Sequence, residues 1–166
     1  LDSEGLVVFI NNRGATVTKH SLDEIAEFFD VRILLEVDLL KKSIPLMDEH
    51  HFDRCRELLD EMEASYAAGN VADWGPLNAQ YHAMLYEAAN QKLTMQLLER
   101  VSMLANRYVS MHIDQLSKAD NAEHDHRSLF NLARLRDVDG AADLLKAHLE
   151  NTKQQILELI AATRSK

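Results

Sequence analysis

Apolar residues recur at intervals of three and four along nearly the whole chain from residue 21 onwards, and this period constrains the fold most. A segment with such spacing gains one apolar face when it forms an α-helix, and that face must pack against another helix. The run that begins with Ile25, Phe28, Phe29 and Ile33 shows the pattern. Only 5 Gly and 2 Pro interrupt the 166 residues, so few positions break a helix. The sequence therefore predicts an all-α fold, an antiparallel bundle of about six helices.

Local start and stop signals divide this stretch. Ser21 and Glu24 have the spacing of a capping box, which predicts the start of the first helix, and Pro45 predicts its end or a kink. The run Asp73-Trp-Gly-Pro76 is expected to begin the next helix, with proline in an early helical position. The run Asp137-Val-Asp-Gly140 predicts the last turn between helices. Further stops are expected at Gly69-Asn70 and Asn90.

The first 20 residues have a different character from the rest. Two β-rich runs, Gly5–Ile10 and Ala15–Thr18, flank the turn-forming Asn11–Gly14, which predicts a short β-hairpin. An isolated two-stranded hairpin is only marginally stable in water, so we expect it to pack on another part of the protein. We therefore divide the chain into a hairpin at residues 1–20 and a helical domain at residues 21–166.

Charge and cysteine usage narrow the class of protein. The formal net charge of -9 repels phosphate backbones, so these residues are not expected to bind nucleic acid unaided. Cys55 is the only cysteine and can form no internal disulfide, which fits the cytoplasm. No apolar run approaches the roughly 20 residues that span a bilayer, so no membrane partner is expected. The chain begins with Leu1 rather than Met, which suggests a piece of a longer protein.

Four side chains have spacings that would bring them to one point inside such a bundle. Asn78 and His82 lie one helical turn apart, so an amide oxygen and an imidazole nitrogen project from the same face. His126 and His148 each lie eleven residues from Asp137, on either side of the expected turn. At ~1.5 Å rise per residue both would stand roughly 16 Å from that turn, at the same height on neighbouring helices. Three imidazoles and one amide oxygen suit a divalent metal.

Each histidine also has an ordinary interpretation, because a lone His on an apolar face is more often a hydrogen-bonded core residue than a ligand. His124 competes with His126, but side chains two residues apart on a helix point to nearly opposite faces, so only one can line the site. His20, His50 and His51 lie in polar or terminal surroundings and are expected to be solvated.

The spacing of the Glu and His residues does not match that of known metal-dependent enzymes. A di-iron enzyme needs two Glu-x-x-His pairs, and only Glu123 with His126 has that spacing. Neither His82 nor His148 has a Glu three residues earlier. A hydrolytic zinc enzyme needs a general base beside an open metal position, and no carboxylate is tied to the histidines by spacing. We therefore do not predict an enzyme.

Several runs of the chain resemble a known family. One group is similar to the junction where the wing of a winged helix-turn-helix passes into the effector domain of GntR-family bacterial transcription regulators: Gly5-Leu-Val, Arg13-Gly14-Ala-Thr-Val17, Asp23-Glu-Ile25, Val31-Arg32 and Leu35-Glu36. A second group is similar to the ligand segments of that effector domain: Asn78-Ala-Gln-Tyr81-His82, Ala88-Ala-Asn90, Asp125-His126 and His148-Leu149. The resemblance covers nearly the whole chain. It points to the FCD class, the fatty-acid-regulator-type C-terminal domain.

The resemblance implies an all-helical domain that forms a homodimer and binds a small effector, commonly a carboxylate, often through a bound metal. The ligands carried over by position would be Asn78, His82, His126 and His148. Zinc is the favoured ion, with nickel, cobalt and manganese as alternatives. Asn78 stands where Asp is commoner, and a neutral amide leaves the charge of the metal uncompensated. An anionic effector in the open coordination positions is therefore expected.

Two further residues are expected at the effector. Arg32 matches the first-helix Arg of the family and could clamp an effector carboxylate, although a surface pair with Glu36 at i,i+4 explains it equally well. Tyr81 adjoins His82 and is expected in the core or the pocket wall. DNA binding is expected only through a winged helix-turn-helix that is largely missing from this chain. Two alternatives stay open: a metal-free pocket for a larger apolar ligand such as an acyl thioester, and a metal-dependent enzyme of a small acid.

Overall fold

The computed structural model of the chain describes residues 7–10, 14–17, 20–116 and 122–164. Six α-helices make up nearly all of this described part, which confirms the predicted all-α bundle. None of them is long and apolar enough to cross a membrane. Their bounds are α1 Leu22–Ser43, α2 Glu49–Ala67, α3 Val71–Glu87, α4 Lys92–Leu116, α5 Ala122–Arg134 and α6 Val138–Arg164.

Two short stretches of extended backbone, β1 Val7–Ile10 and β2 Gly14–Val17, precede the helices and pair antiparallel. The residues that would join these strands, and those that lead from them towards α1, lie outside the described ranges. The hairpin predicted over residues 1–20, and its separation from a domain at residues 21–166, therefore stay predictions.

Helix α1 is the central element of the bundle. Its capping box is formed as predicted: Glu24 N donates to Ser21 Oγ at 3.1 Å and Ser21 N donates to Glu24 Oε2 at 2.7 Å. The helix packs against α3, α4 and α6. Pro45 ends it in a short 3-10 turn at Ile44–Leu46, because a proline ring cannot continue the α-helical hydrogen bonding.

Residues with a positive φ end three of the helices. Gly69 after α2 has φ 67° and Asn90 after α3 has φ 51°, at the two predicted stops. Arg136 after α5 has φ 59°, and its guanidinium donates to the carbonyl oxygens of Ile44 and Met47. Arginine does not favour the left-handed region by itself, so these long-range hydrogen bonds stabilise Arg136 in that conformation.

The predicted starts of two helices were wrong. Helix α3 begins at Val71, so Pro76 is its sixth residue rather than an early one. The helix tolerates it at the loss of one backbone hydrogen bond near its first turn. Helix α6 begins at Val138, and the turn does not extend to Gly140, because Asp137 Oδ1 accepts from Gly140 N at 3.0 Å as a helix cap does.

The core has two parts. The larger lies among α1, α2, α3, α5 and α6 and includes the fully buried Leu40, Leu85 and Leu145. Each such side chain stabilises the fold by about 1.5–3 kcal/mol. The smaller lies where the first half of α1 meets α4 and the second half of α6, around Phe29 and Ile156. Polar side chains that converge on the larger core come from α1, α3, α5 and α6.

Candidate metal centre

Helix α3 contributes the first two of the predicted ligands. Asn78 and His82 occupy one face of this helix and both line the same cavity. The Asn78 Oδ1 atom is buried and has no hydrogen-bond partner among the described residues. His82 is 5% exposed. A buried amide oxygen without a partner costs free energy, so this atom fits a site completed by a cation or another donor.

The α5–α6 hairpin brings the other two histidines to the same place. The ring centroids of His126 and His148 lie 4.8 Å apart, and that of His82 lies 5.3 Å from His126 and 5.8 Å from His148. One nitrogen from each of the three rings lies within 4.8 Å of the others. The structure thus brings together the three histidines that the sequence predicted as ligands.

The spacing of two of these nitrogens matches a metal site. His82 Nε2 and His126 Nε2 lie 3.3 Å apart. Two imidazole nitrogens on one tetrahedral zinc, each about 2.05 Å from the metal, are separated by about 3.3 Å. An N–H···N hydrogen bond between the two rings gives the same distance in the metal-free protein. The donor set of three imidazoles and one amide oxygen therefore fits a borderline divalent ion.

Hydrogen bonds orient two of the rings. His148 Nδ1 lies 3.2 Å from Asp125 Oδ2, so Nδ1–H donates a hydrogen bond to this carboxylate and Nε2 is left free for a ligand role. His82 Nδ1 lies 3.1 Å from the hydroxyl of Tyr86, which donates to Glu36 Oε2 at 2.6 Å. The remaining ring differs, because His126 Nδ1 is buried without a partner among the described residues.

The electrostatics favour the neutral form of two of the three imidazoles. Burial lowers the pKa of His82 well below 6.5, and the electrostatic interactions with His148 and Arg32 act in the same direction. Burial likewise lowers the pKa of His126, with His148 and His82 adding to the effect. Metal ligation requires neutral imidazole, so both rings are ready to bind a cation at neutral pH.

A cavity of about 460 Å³ opens beside His82, the one of the three histidines that lines it. Asn78 and His82 line it from α3, and Arg32 and Glu36 line it from α1. Arg32 Nε donates to Glu36 Oε1 at 2.8 Å, and Nη1 lies 3.4 Å from the Asn106 oxygen. The predicted pair of Arg32 with Glu36 is thus formed, but both side chains are buried rather than at the surface.

Tyr81 contacts the imidazoles and does not line this cavity. It is fully buried, its ring packs edge-on against those of His82 and His126, and its hydroxyl donates to the His126 carbonyl at 2.9 Å. Burial raises the pKa of this hydroxyl well above 10, so it remains a donor. These contacts are of the kind that fixes the position of α5 against α3.

Sequence reasoning missed three residues of this centre, Glu36, Tyr86 and Asp125, as partners of the ligands. Local signals existed for two of them, since Tyr86 follows His82 by four residues and Asp125 precedes His126. The partner of Asp125 is nevertheless His148, on the next helix.

The structure also describes the surroundings of four other histidines with predicted exposure. His50 is exposed, as predicted, and His51 is half-buried. His124 is exposed, as expected if His126 faces inward. The expectation of a solvated His20 was wrong: it is 9% exposed, and its Nδ1 lies 2.8 Å from the Tyr108 hydroxyl.

Comparison with protein families matches the FCD domain over residues 27–151. The chain belongs to the FCD domain family, and the predicted resemblance to GntR-family regulators is confirmed. It is 27% identical over 158 residues to the uncharacterized HTH-type transcriptional regulator BphR of Paraburkholderia xenovorans, covering 92% of this chain and 64% of that protein. It is 26% identical over 157 residues to the HTH-type transcriptional repressor GlaR of Escherichia coli, covering 90% and 71%.

Solved structures show the same fold. A GntR-family regulator from Pseudomonas syringae pv. tomato superposes with a TM-score of 0.80 at 22% identity, covering 99% of this chain and 68% of that one. The Escherichia coli protein McbR/YncC superposes with a TM-score of 0.82 at 15% identity, covering 95% and 80%. The relatives are transcriptional regulators and not enzymes. The chain spans about two-thirds of the length of such regulators.

Proposed function

We propose that the chain is the ligand-sensing domain of a GntR-family regulator and that it binds a small organic acid beside a divalent metal. The ligands of the metal would be Asn78, His82, His126 and His148. The observation that carries the proposal is the convergence of three buried imidazoles with the partnerless oxygen of Asn78. Zinc suits this donor set best, with nickel, cobalt and manganese as alternatives.

The cavity supports a carboxylate as the effector. Its volume of about 460 Å³ lies within the usual range for small-molecule sites, roughly 300–1,000 Å³. No ligand among the four proposed carries a negative charge, so an anion would compensate the charge of the metal. Arg32 has one guanidinium nitrogen, Nη2, without a partner among the described residues, and this atom can donate to a carboxylate.

The link to DNA is indirect. The net charge of -9 disfavours contact between these residues and phosphate, so a winged helix-turn-helix on the N-terminal side would bind the DNA. We propose that the chain forms a homodimer, and that the effector changes DNA affinity because it binds one arrangement of the dimer more tightly than another.

Metal content tests the proposal directly. The chain is treated with chelator, reloaded with zinc, dialysed and analysed for metal by mass spectrometry. We expect about one zinc per chain in the parent and less than about a tenth of that in His82→Ala and His148→Ala, because each variant lacks a ligand. His124→Ala is the matched control, since His124 is an exposed histidine on the same helix as His126. Equal zinc content in all four proteins would refute the metal site.

A metal-free pocket for a larger apolar ligand is the second candidate. One observation favours it: Met95, Leu98 and Met103 line the same cavity opposite the polar residues. This function predicts that zinc reloading fails in the parent and that an acyl thioester binds the chelator-treated chain. Calorimetric titration of an acyl thioester against acetate separates the two candidates.

A further inference from the structure

Four buried side chains form a continuous hydrogen-bonded row from the cavity to the metal centre. Arg32 donates to one oxygen of Glu36 at 2.8 Å, and Tyr86 donates to the other at 2.6 Å. The oxygen of Tyr86 lies 3.1 Å from His82 Nδ1. Glu36 and Tyr86 are each 1% exposed, so water does not replace these partners. The row joins α1 to α3 through residues 50 positions apart in the sequence.

The direction of each proton along the row follows from the chemistry of the groups. An ionised carboxylate only accepts, so the single proton of Tyr86 is directed to Glu36. The Tyr86 oxygen is then an acceptor towards His82, which must carry its own proton on Nδ1. Neutral imidazole has one proton, so Nε2 bears a lone pair. That lone pair faces His126 Nε2, 3.3 Å away.

We propose that Glu36 and Tyr86 are positioning residues that hold His82 in the Nδ1-protonated tautomer, so that its Nε2 lone pair is always presented to the cation. The inference rests on the metal site of the proposed function and adds to it a way in which neighbouring side chains set the affinity for the metal. Free histidine prefers the proton on Nε2, the tautomer that blocks the ligand atom. The same Glu36 carboxylate also binds Arg32, so the guanidinium on the cavity wall and the metal ligand depend on one group.

The experiment compares Tyr86→Phe with Tyr108→Phe. Tyr108 is a matched control, since its hydroxyl lies 2.8 Å from Nδ1 of another buried histidine, His20, in the smaller core. Imidazole ¹⁵N chemical shifts of the metal-free chain at pH 8 report the tautomer of His82. Competition with a chromophoric chelator gives the dissociation constant for zinc.

We expect the proton of His82 on Nδ1 in the parent and in Tyr108→Phe, and mainly on Nε2 in Tyr86→Phe. The zinc dissociation constant should rise about 10- to 100-fold in Tyr86→Phe, as for other partners of metal-bound histidines, and less than about twofold in Tyr108→Phe. Glu36→Gln keeps an acceptor oxygen for Tyr86, so it should retain the parental tautomer and lose less affinity than Tyr86→Phe.

Two results would overturn the inference. One is a parent protein with the proton of His82 on Nε2, which needs no variant and so decides the question even if Tyr86→Phe fails to fold. The other is a Tyr86→Phe protein with the parental tautomer and parental zinc affinity. Failure of the proposed function is distinguishable, because a parent that binds no zinc can still show the Nδ1 proton and its loss in Tyr86→Phe.

Discussion

Acid should destabilise the metal-free protein through His82 and His126. Burial lowers the pKa of both imidazoles well below 6.5, and electrostatic interactions add to the effect, with His148 for both rings and with Arg32 for His82. Glu36 opposes it, because its carboxylate lies 3.8 Å from His82 Nδ1. The burial of the His82 ring and the pairing of Glu36 with Arg32 outweigh that attraction.

The sign follows from where protons bind. In the unfolded chain a histidine takes up its proton near pH 6.5, whereas the two buried rings of the folded protein stay neutral to lower pH. The stability they contribute is therefore complete above about pH 6.5 and is lost as the pH falls from there towards their folded pKa values. Each ring contributes a slope of at most about 1.4 kcal/mol per pH unit, so the two together approach about 2.7 kcal/mol per unit. A domain with roughly 5–15 kcal/mol in total loses a large share of its stability in this way.

Urea unfolding at pH 7.5, 6.5 and 5.5 in the presence of chelator measures the effect. From these two rings the free energy of unfolding should fall by at most about 0.7 kcal/mol between the first two values and by at most about 2 kcal/mol between the last two. His126→Leu removes one of the two buried rings and should fall about half as steeply, whereas His124→Ala should follow the parent. A parental free energy of unfolding that is the same at pH 6.5 and 5.5, or an unchanged slope in His126→Leu, would refute the reasoning.

Three further changes have defined outcomes. Asn78→Asp should tighten zinc binding about tenfold or more, because a carboxylate adds about 1.4 kcal/mol of attraction to the cation. The same variant should lower the urea midpoint of the metal-free chain, where the new charge has no partner. Weaker zinc binding would contradict this. Arg32→Lys should weaken binding of acetate, malonate or succinate about tenfold by calorimetry, because lysine lacks the planar fork, with zinc content unchanged; unchanged affinity would exclude a clamp. Asp137→Ala should cost about 1 kcal/mol in thermal unfolding, through loss of its bond to Gly140 N; no change would mean that this cap contributes nothing.

Local spacing was enough to predict the helices and part of the centre. Asn78 and His82 share a face because any helix places i and i+4 together, and no tertiary information is needed for that. The placement of His126 beside His148 followed from equal distances to one turn. The turn is shorter than predicted, but Arg136 and Asp137 still lie at its centre, so the two histidines remain at the same height.

The errors and omissions share a physical cause, which is that the deciding contacts are distant in sequence. Arg136 adopts a positive φ because its side chain reaches the carbonyls of Ile44 and Met47, about 90 residues away. His20 is buried because Tyr108, on α4, accepts or donates at its ring nitrogen. Neither position carries a local signal, since Arg is not a residue that favours a helix stop and His20 lies among polar neighbours.

Different helices supply the proposed metal ligands and the charged residues of the cavity. Helices α3, α5 and α6 supply the proposed ligands, whereas α1 supplies Arg32 and Glu36. A carboxylate that bound Arg32 would compete for it with Glu36, and Glu36 is also the acceptor for Tyr86. Effector and metal would therefore affect each other's binding through one carboxylate. By linkage, the factor by which the effector changes zinc affinity must equal the factor by which zinc changes effector affinity. Measuring zinc affinity with and without acetate, and acetate affinity with and without zinc, tests that equality in the parent and in Glu36→Gln.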